Sequence, residues 1–139
     1  MSKRVVSMVG MFVLMALATG LLTAAAPLPV TTFTLVSGLP STMNVGDTYT
    51  VVVRVDSDQQ FISAQALPSF QYAGKGVVAV QGGSRMGSGT SATLAITFKA
   101  KSSTARMEGG VAPVYVVVGV RYGGGYVAVQ EYLFNVTVP

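Results

Sequence analysis

Cysteine, histidine and tryptophan are all absent from this 139-residue chain, and charged residues make up only 10% of it. Without cysteine no disulfide can staple the fold, and no thiolate can act as a nucleophile or hold a soft metal. Without histidine the usual catalytic base and the common nitrogen ligand are missing too. Most hydrolases, zinc enzymes and blue-copper proteins are thereby excluded. The remaining acids are five: Asp47, Asp56, Asp58, Glu108 and Glu131. Glycoside hydrolysis would need two of them held across a cleft with their pKa values pushed apart. Asp47 reads instead as a turn residue, Asp56 and Asp58 as parts of a solvated turn, and Glu131 as an outward strand charge. The expectation is a protein that is not an enzyme and uses no cofactor and no metal.

Three local patterns have plainer explanations than the sites they resemble. Asp56, Asp58 and Gln60 place oxygens at alternate positions, as a calcium loop does, but three oxygens fall short of the six to eight that calcium takes. A strand-ending turn accounts for them. Gly82-Gly83 and Gly87-x-Gly89 are followed by no lysine-serine pair and no helix start, so they make no phosphate loop. Asn135-Val136-Thr137 matches a glycosylation sequon but sits inside a strand pattern.

The first 25 residues have the three zones of a secretory signal. Lys3 and Arg4 carry charge, residues 5–22 form an uncharged apolar run, and Thr23-Ala24-Ala25-Ala26 is a small-residue exit. Cleavage after Ala25 leaves residues 26–139 as one folded domain. The competing reading is a retained membrane helix over residues 5–26, long enough to span a bilayer. Ser7, Gly10, Thr19 and Gly20 interrupt that run and no second basic cluster follows it, which favours cleavage. The formal charge of +4 then drops, because losing Lys3 and Arg4 leaves seven basic residues against five acidic ones, a net +2. That is no footprint for nucleic acid.

Half of the chain is apolar, and valine, tyrosine and phenylalanine recur with period two, the spacing of strands. The expected strands cover residues 31–36, 48–56, 61–66, 77–80 and 91–100, followed by a final hairpin, about seven in all. Residues 56–60 are expected as an exit turn, 81–90 and 101–110 as polar loops, and Pro68 as a bar to a long central strand. A short helix over residues 62–67 competes with the third strand. Zero cysteine means that a sandwich-sized core must supply the stability by itself.

Val45-Gly46-Asp47, the strand YTVVVRV that follows (residues 49–55), and SATLAITFKA (residues 91–100) resemble immunoglobulin-like domains of bacterial cell-surface and adhesion proteins. The resemblance spans roughly residues 31–138. It implies an all-β, immunoglobulin-like antiparallel β-sandwich, preceded by the signal-peptide helix and acting at the cell surface or in secretion. The chain departs from antibody-type domains in lacking both the cysteine pair and tryptophan, so nothing about an antibody-like binding surface carries over.

The hairpin of residues 113–139 has the clearest pattern. If Gly123-Gly124-Gly125 forms its loop, residues facing each other sum to 248. Val114, Val116, Val118 and Val120 then share a core face with Ala128, Gln130, Tyr132 and Phe134, and Gln130 is the one polar member needing a partner. The opposite face pairs Tyr115 with Leu133, Val117 with Glu131, Gly119 with Val129 and Arg121 with Val127. So apolar a face needs cover, either from residues 61–72 of the same chain or from another molecule. Tyr115, Val117, Val127, Val129 and Leu133 are accordingly the candidate partner-binding residues. The expected function is that of an exported structural or adhesive module of the cell envelope, with self-association or an envelope protein as partner. The membrane would be reached only through an uncleaved leader. The alternative is a small secreted sugar- or peptide-binding protein presenting Tyr72, Tyr122 and Tyr126 near its loops.

Overall fold

The computed structural model describes residues 27–69 and 77–139. The expected signal helix and the connection through Tyr72 and Gly74 lie outside the described residues. Among the described residues no helix is long and apolar enough to cross a membrane.

Among the described residues eight strands form two four-stranded sheets. They are β1 (Thr31–Ser37), β2 (Thr48–Phe61), β3 (Ser63–Ser69), β4 (Val78–Gly82), β5 (Arg85–Met86), β6 (Gly89–Ala100), β7 (Ala112–Arg121) and β8 (Val127–Val136). The first sheet runs β1-β2-β6-β4 and the second β5-β3-β7-β8, with every strand pair antiparallel. Such a strand order over two packed layers is that of an immunoglobulin-like sandwich. Between the sheets lie Val51, Val53 and Val55 of β2, Leu94, Ile96 and Phe98 of β6, and Val114, Val116, Val118 and Val120 of β7, all buried. The period-two valines thus do what the pattern predicts, one face of each strand entering a common core.

Several expectations need correction. Residues 56–60 are not a turn, because β2 continues to Phe61 and Ser57 lies opposite Thr31 on β1. Their polar side chains look turn-like, yet those of residues 56–59 have partners in the extended chain. Asp56 accepts from Arg54 and Ser91, the Ser57 hydroxyl accepts from the Tyr122 hydroxyl, and Asp58 accepts from the Val30 amide. The chain then crosses to the second sheet through Ile62 alone, whose N–H donates to the Arg121 carbonyl at 2.7 Å. The competing helix over residues 62–67 is not formed.

Pro68 does sit in a strand that carries neighbours on both sides. β5 reaches only Ala64 and Gln65, however, so beside Pro68 that side of β3 has no strand to receive a hydrogen bond. The glycine- and serine-rich stretch 81–90 is not all loop, since it closes β4, supplies β5 and opens β6. Ser84 anchors it, its hydroxyl accepting from the Ala95 amide and its carbonyl from Ala66.

Glycine sets the backbone of the turn at residues 45–47 and of the β7–β8 loop. Gly46 in the Val45-Gly46-Asp47 turn has φ 95°, and Gly124 and Gly125 in the β7–β8 loop have φ 81° and 86°, backbone that a side chain strains. The hairpin register is the expected one, from Arg121 opposite Val127 to Ala112 opposite Val136.

Candidate interaction surface

Because paired residues share a face, the register assigns the outer surface of the second sheet. Leu67 lies beside Val117, which lies beside Glu131; Ser69, Tyr115 and Leu133 form the next row. Gln65, Gly119 and Val129 form the row on the other side, followed by Ser63, Arg121 and Val127. Leu67 and Leu133 are each 49% exposed and Val127 36%, while Tyr115, Val117 and Val129 are partly covered by their own neighbours. All five candidate residues therefore stand on one face. Of residues 61–72, expected as possible cover, residues 63–69 lie within the sheet instead and widen the apolar face through Leu67, and residues 70–72 lie outside the described residues. That addition escaped the hairpin pattern because it comes from a strand without clean alternation.

The outer face of the first sheet shows what a water-facing surface of this protein looks like. Thr34 sits beside Arg54 and Thr93, and Thr50 beside Thr97, with the two hydroxyls 2.9 Å apart. Threonine keeps the β-branch that a strand favours and offers a hydroxyl to solvent. On the second sheet the corresponding positions of β7 and β8 are mostly valine, leucine and tyrosine, with Arg121 and Glu131 as the charged groups, while β3 adds Ser63, Gln65 and Ser69 beside Leu67.

Among the described residues, Asp47 and the pair Arg54 and Asp56 are engaged in local contacts. Asp47 accepts from the Asn44 amide and closes its own turn. The Arg54 guanidinium, 3.0 Å away, hydrogen-bonds the Asp56 carboxylate and holds it below the usual carboxylate range, against a smaller opposing effect of burial. The same contact raises Arg54. Among the described residues no three acidic side chains gather to hold a metal.

Of the tyrosines considered for a sugar or peptide site, Tyr72 lies outside the described residues and Tyr122 is buried. Its ring meets Phe61 edge-on at 6.4 Å and Tyr126 at 5.5 Å. Tyr126 borders a shallow groove of about 140 Å³ between residues 29–33 and 126–129, where the rims of the two sheets come together. Drug-sized ligands occupy roughly 300–1,000 Å³. Burial raises the hydroxyl pKa of both Tyr126 and Tyr132, with Tyr122 adding a charge effect at Tyr126.

No protein-family model matches the chain, and no curated protein matches it in sequence. Among solved structures it is similar to native alpha-2-macroglobulin of Escherichia coli, at 17% identity and a TM-score of 0.45 over 83% of this chain. A second structure of that protein, running from domain MG7 to the C-terminus, gives 16% identity and 0.47 over the same share. Murine CRIg gives 10% identity and 0.40 over 81%. The chain spans 7% and 17% of the two macroglobulin chains and 99% of the CRIg chain.

Proposed function

We propose that this chain is an exported, non-enzymatic structural or adhesive module of the cell envelope, working by packing the outer face of its second sheet against a protein partner. The observation that carries the reading is the contrast between the two outer faces. One is mostly threonine, arginine and lysine around the pair Val52 and Ala95, whereas the other exposes Leu67 and Leu133 around Val117 and Tyr115, with Val127 at its far end beside Arg121. Contiguous exposed apolar surface on a sheet marks a place where another surface belongs. Export is supported by the leader pattern of residues 1–25, and the mature protein is expected to begin at Ala26, which the intact mass of secreted material checks.

The function is tested by Leu67→Lys combined with Val117→Lys, two changes in the middle of the face and away from the β8 edge. The double variant should keep the wild-type circular dichroism spectrum and melting curve while leaving the envelope fraction for the medium. Unchanged retention by a folded variant would sink the proposal. Unfolding would show that the face belongs to the core.

A further inference from the structure

The free edge of β8 has a definite hydrogen-bonding phase. Tyr122 N–H donates to the Tyr126 carbonyl at 2.8 Å, so the pair nearest the loop is a hydrogen-bonded one. Pairs alternate along an antiparallel ladder, and the even-numbered residues of β8 therefore turn their backbone groups to β7. Val127, Val129, Glu131, Leu133 and Asn135 aim theirs the other way. Thr137 confirms the phase, for its N–H donates to Ser41 and its carbonyl accepts from Met43, in a parallel bridge made by residues 41–43 as they pass. Before Thr137 no described strand pairs with this edge. One of its carbonyls, that of Glu131, accepts from the buried Gln130 side chain at 3.1 Å.

The other sheet edges are guarded where this one is open. β5 is two residues long, β1 shifts register between Leu35 and Ser37, and β4 shifts between Val80 and Gly82. β8 runs ten residues without a shift, and residues 127–135 contain no proline or lysine. Such an edge is a template for another strand.

We infer that the strand it accepts is β8 of a second copy, paired antiparallel about a two-fold axis at Gln130. This rests on the reading of the chain as a module that packs against protein. The axis follows from what each neighbouring position would bring together. Centred on Glu131, the pairing stacks two carboxylates face to face. Centred on Tyr132, it brings Val127 of the partner subunit opposite Thr137, whose edge is already taken by residues 41–43. Centred on Val129, only residues 127–131 pair.

Centred on Gln130, residues 127–133 pair over about 20 Å of strand. Glu131 then lies opposite Val129 of the partner subunit, and Leu133 opposite Val127 of the partner subunit. On the inner side the small Ala128 faces the large Tyr132 of the partner subunit. The two second sheets become one of eight strands, and their apolar outer faces become continuous.

Cysteine is absent from the chain, so a single introduced thiol reports the register cleanly. In this pairing Gln130 lies opposite itself at a non-hydrogen-bonded position, with Cα atoms about 4.5 Å apart, a separation a disulfide spans. Residues 26–139 carrying Gln130→Cys, treated with diamide, should give a disulfide-linked dimer, while Leu133→Cys should not. Sedimentation of the unsubstituted protein should show a dimer that Val129→Pro abolishes, since that amide points away from β7. The dimer should persist in the Leu67→Lys, Val117→Lys variant, which separates the edge from the face. Monomer at every concentration, a dimer that survives in a folded Val129→Pro protein, or linkage through Leu133→Cys in place of Gln130→Cys overturns the inference. If the face variant loses envelope retention in that event, the proposed function stands without the edge pairing.

Discussion

The Tyr122 hydroxyl lies 2.6 Å from Thr31 Oγ1, across the gap between the two sheets. It also donates to Ser57 Oγ at 2.7 Å, and Ser57 in turn accepts from the Gln59 amide at 3.2 Å. One phenol at the end of β7 thus ties the second sheet to paired residues of β1 and β2 at a place where a polar group needs partners. Tyr122→Phe keeps the ring contacts and removes the tie. It should cost about 1–3 kcal/mol, visible as a lower melting temperature with an unchanged circular dichroism spectrum.

Alkaline pH should destabilise the fold. Burial raises the hydroxyl pKa of Tyr126 and Tyr132 above its unfolded value, so their contribution is complete below about pH 10 and is lost as pH rises through the folded values. Tyr132→Phe should reduce this loss, and absorbance of tyrosinate against pH, followed beside chemical denaturation, measures it.

Gly38 has no room for a side chain, since a methyl group there would come within 2.6 Å of the Phe134 ring. Gly38→Ala should therefore destabilise by about 1–3 kcal/mol through overpacking. Phe134→Leu combined with it should recover part of the loss. Denaturant midpoints of the three proteins decide the matter.

Metal should make no difference to folding. Asp56 and Asp58, the nearest approach to a calcium loop, are engaged by Arg54, Ser91 and the Val30 amide. Melting curves with calcium and with EDTA are expected to coincide. The Asp56 carboxylate should titrate at higher pH after Arg54→Ala, because the arginine lowers its folded pKa, and carboxyl chemical shifts report the change. The stabilisation from that lowered pKa is present above the unfolded carboxylate range and lost as pH falls through the folded value.

Strands whose alternate residues face water and core were legible from residue order alone. The β7–β8 register followed from three glycines and two runs of alternating residues, down to the pairs Val117 with Glu131 and Tyr115 with Leu133. What escaped were features that depend on distant partners. Residues 56–60 look like a turn until Tyr122, Arg54 and Val30 are placed around them. Leu67 joined the candidate face only once β3 was seen to pair with β7. Pro68 marked a limit on pairing, and where that limit fell depended on the shortness of β5. Gln130 was recognised as needing a partner, but a partner as near as the next residue's carbonyl has no signature in the pattern.

The parallel bridge between residues 41–43 and Thr137 bears on how the molecule takes load. Pro29 lies beside Tyr126 at one end of the sandwich, whereas Thr137 and Val138 lie at the other, where the Val138 carbonyl accepts from the Thr104 amide and the Val138 N–H donates to the Thr104 hydroxyl. A pull between Pro29 and Val138 meets the β1–β2 ladder from one side and the Ser41 and Met43 bonds to Thr137 from the other. Each end of the sandwich is thus fastened by its own set of bonds, β1 to β2 at one and residues 41–43 to Thr137 at the other.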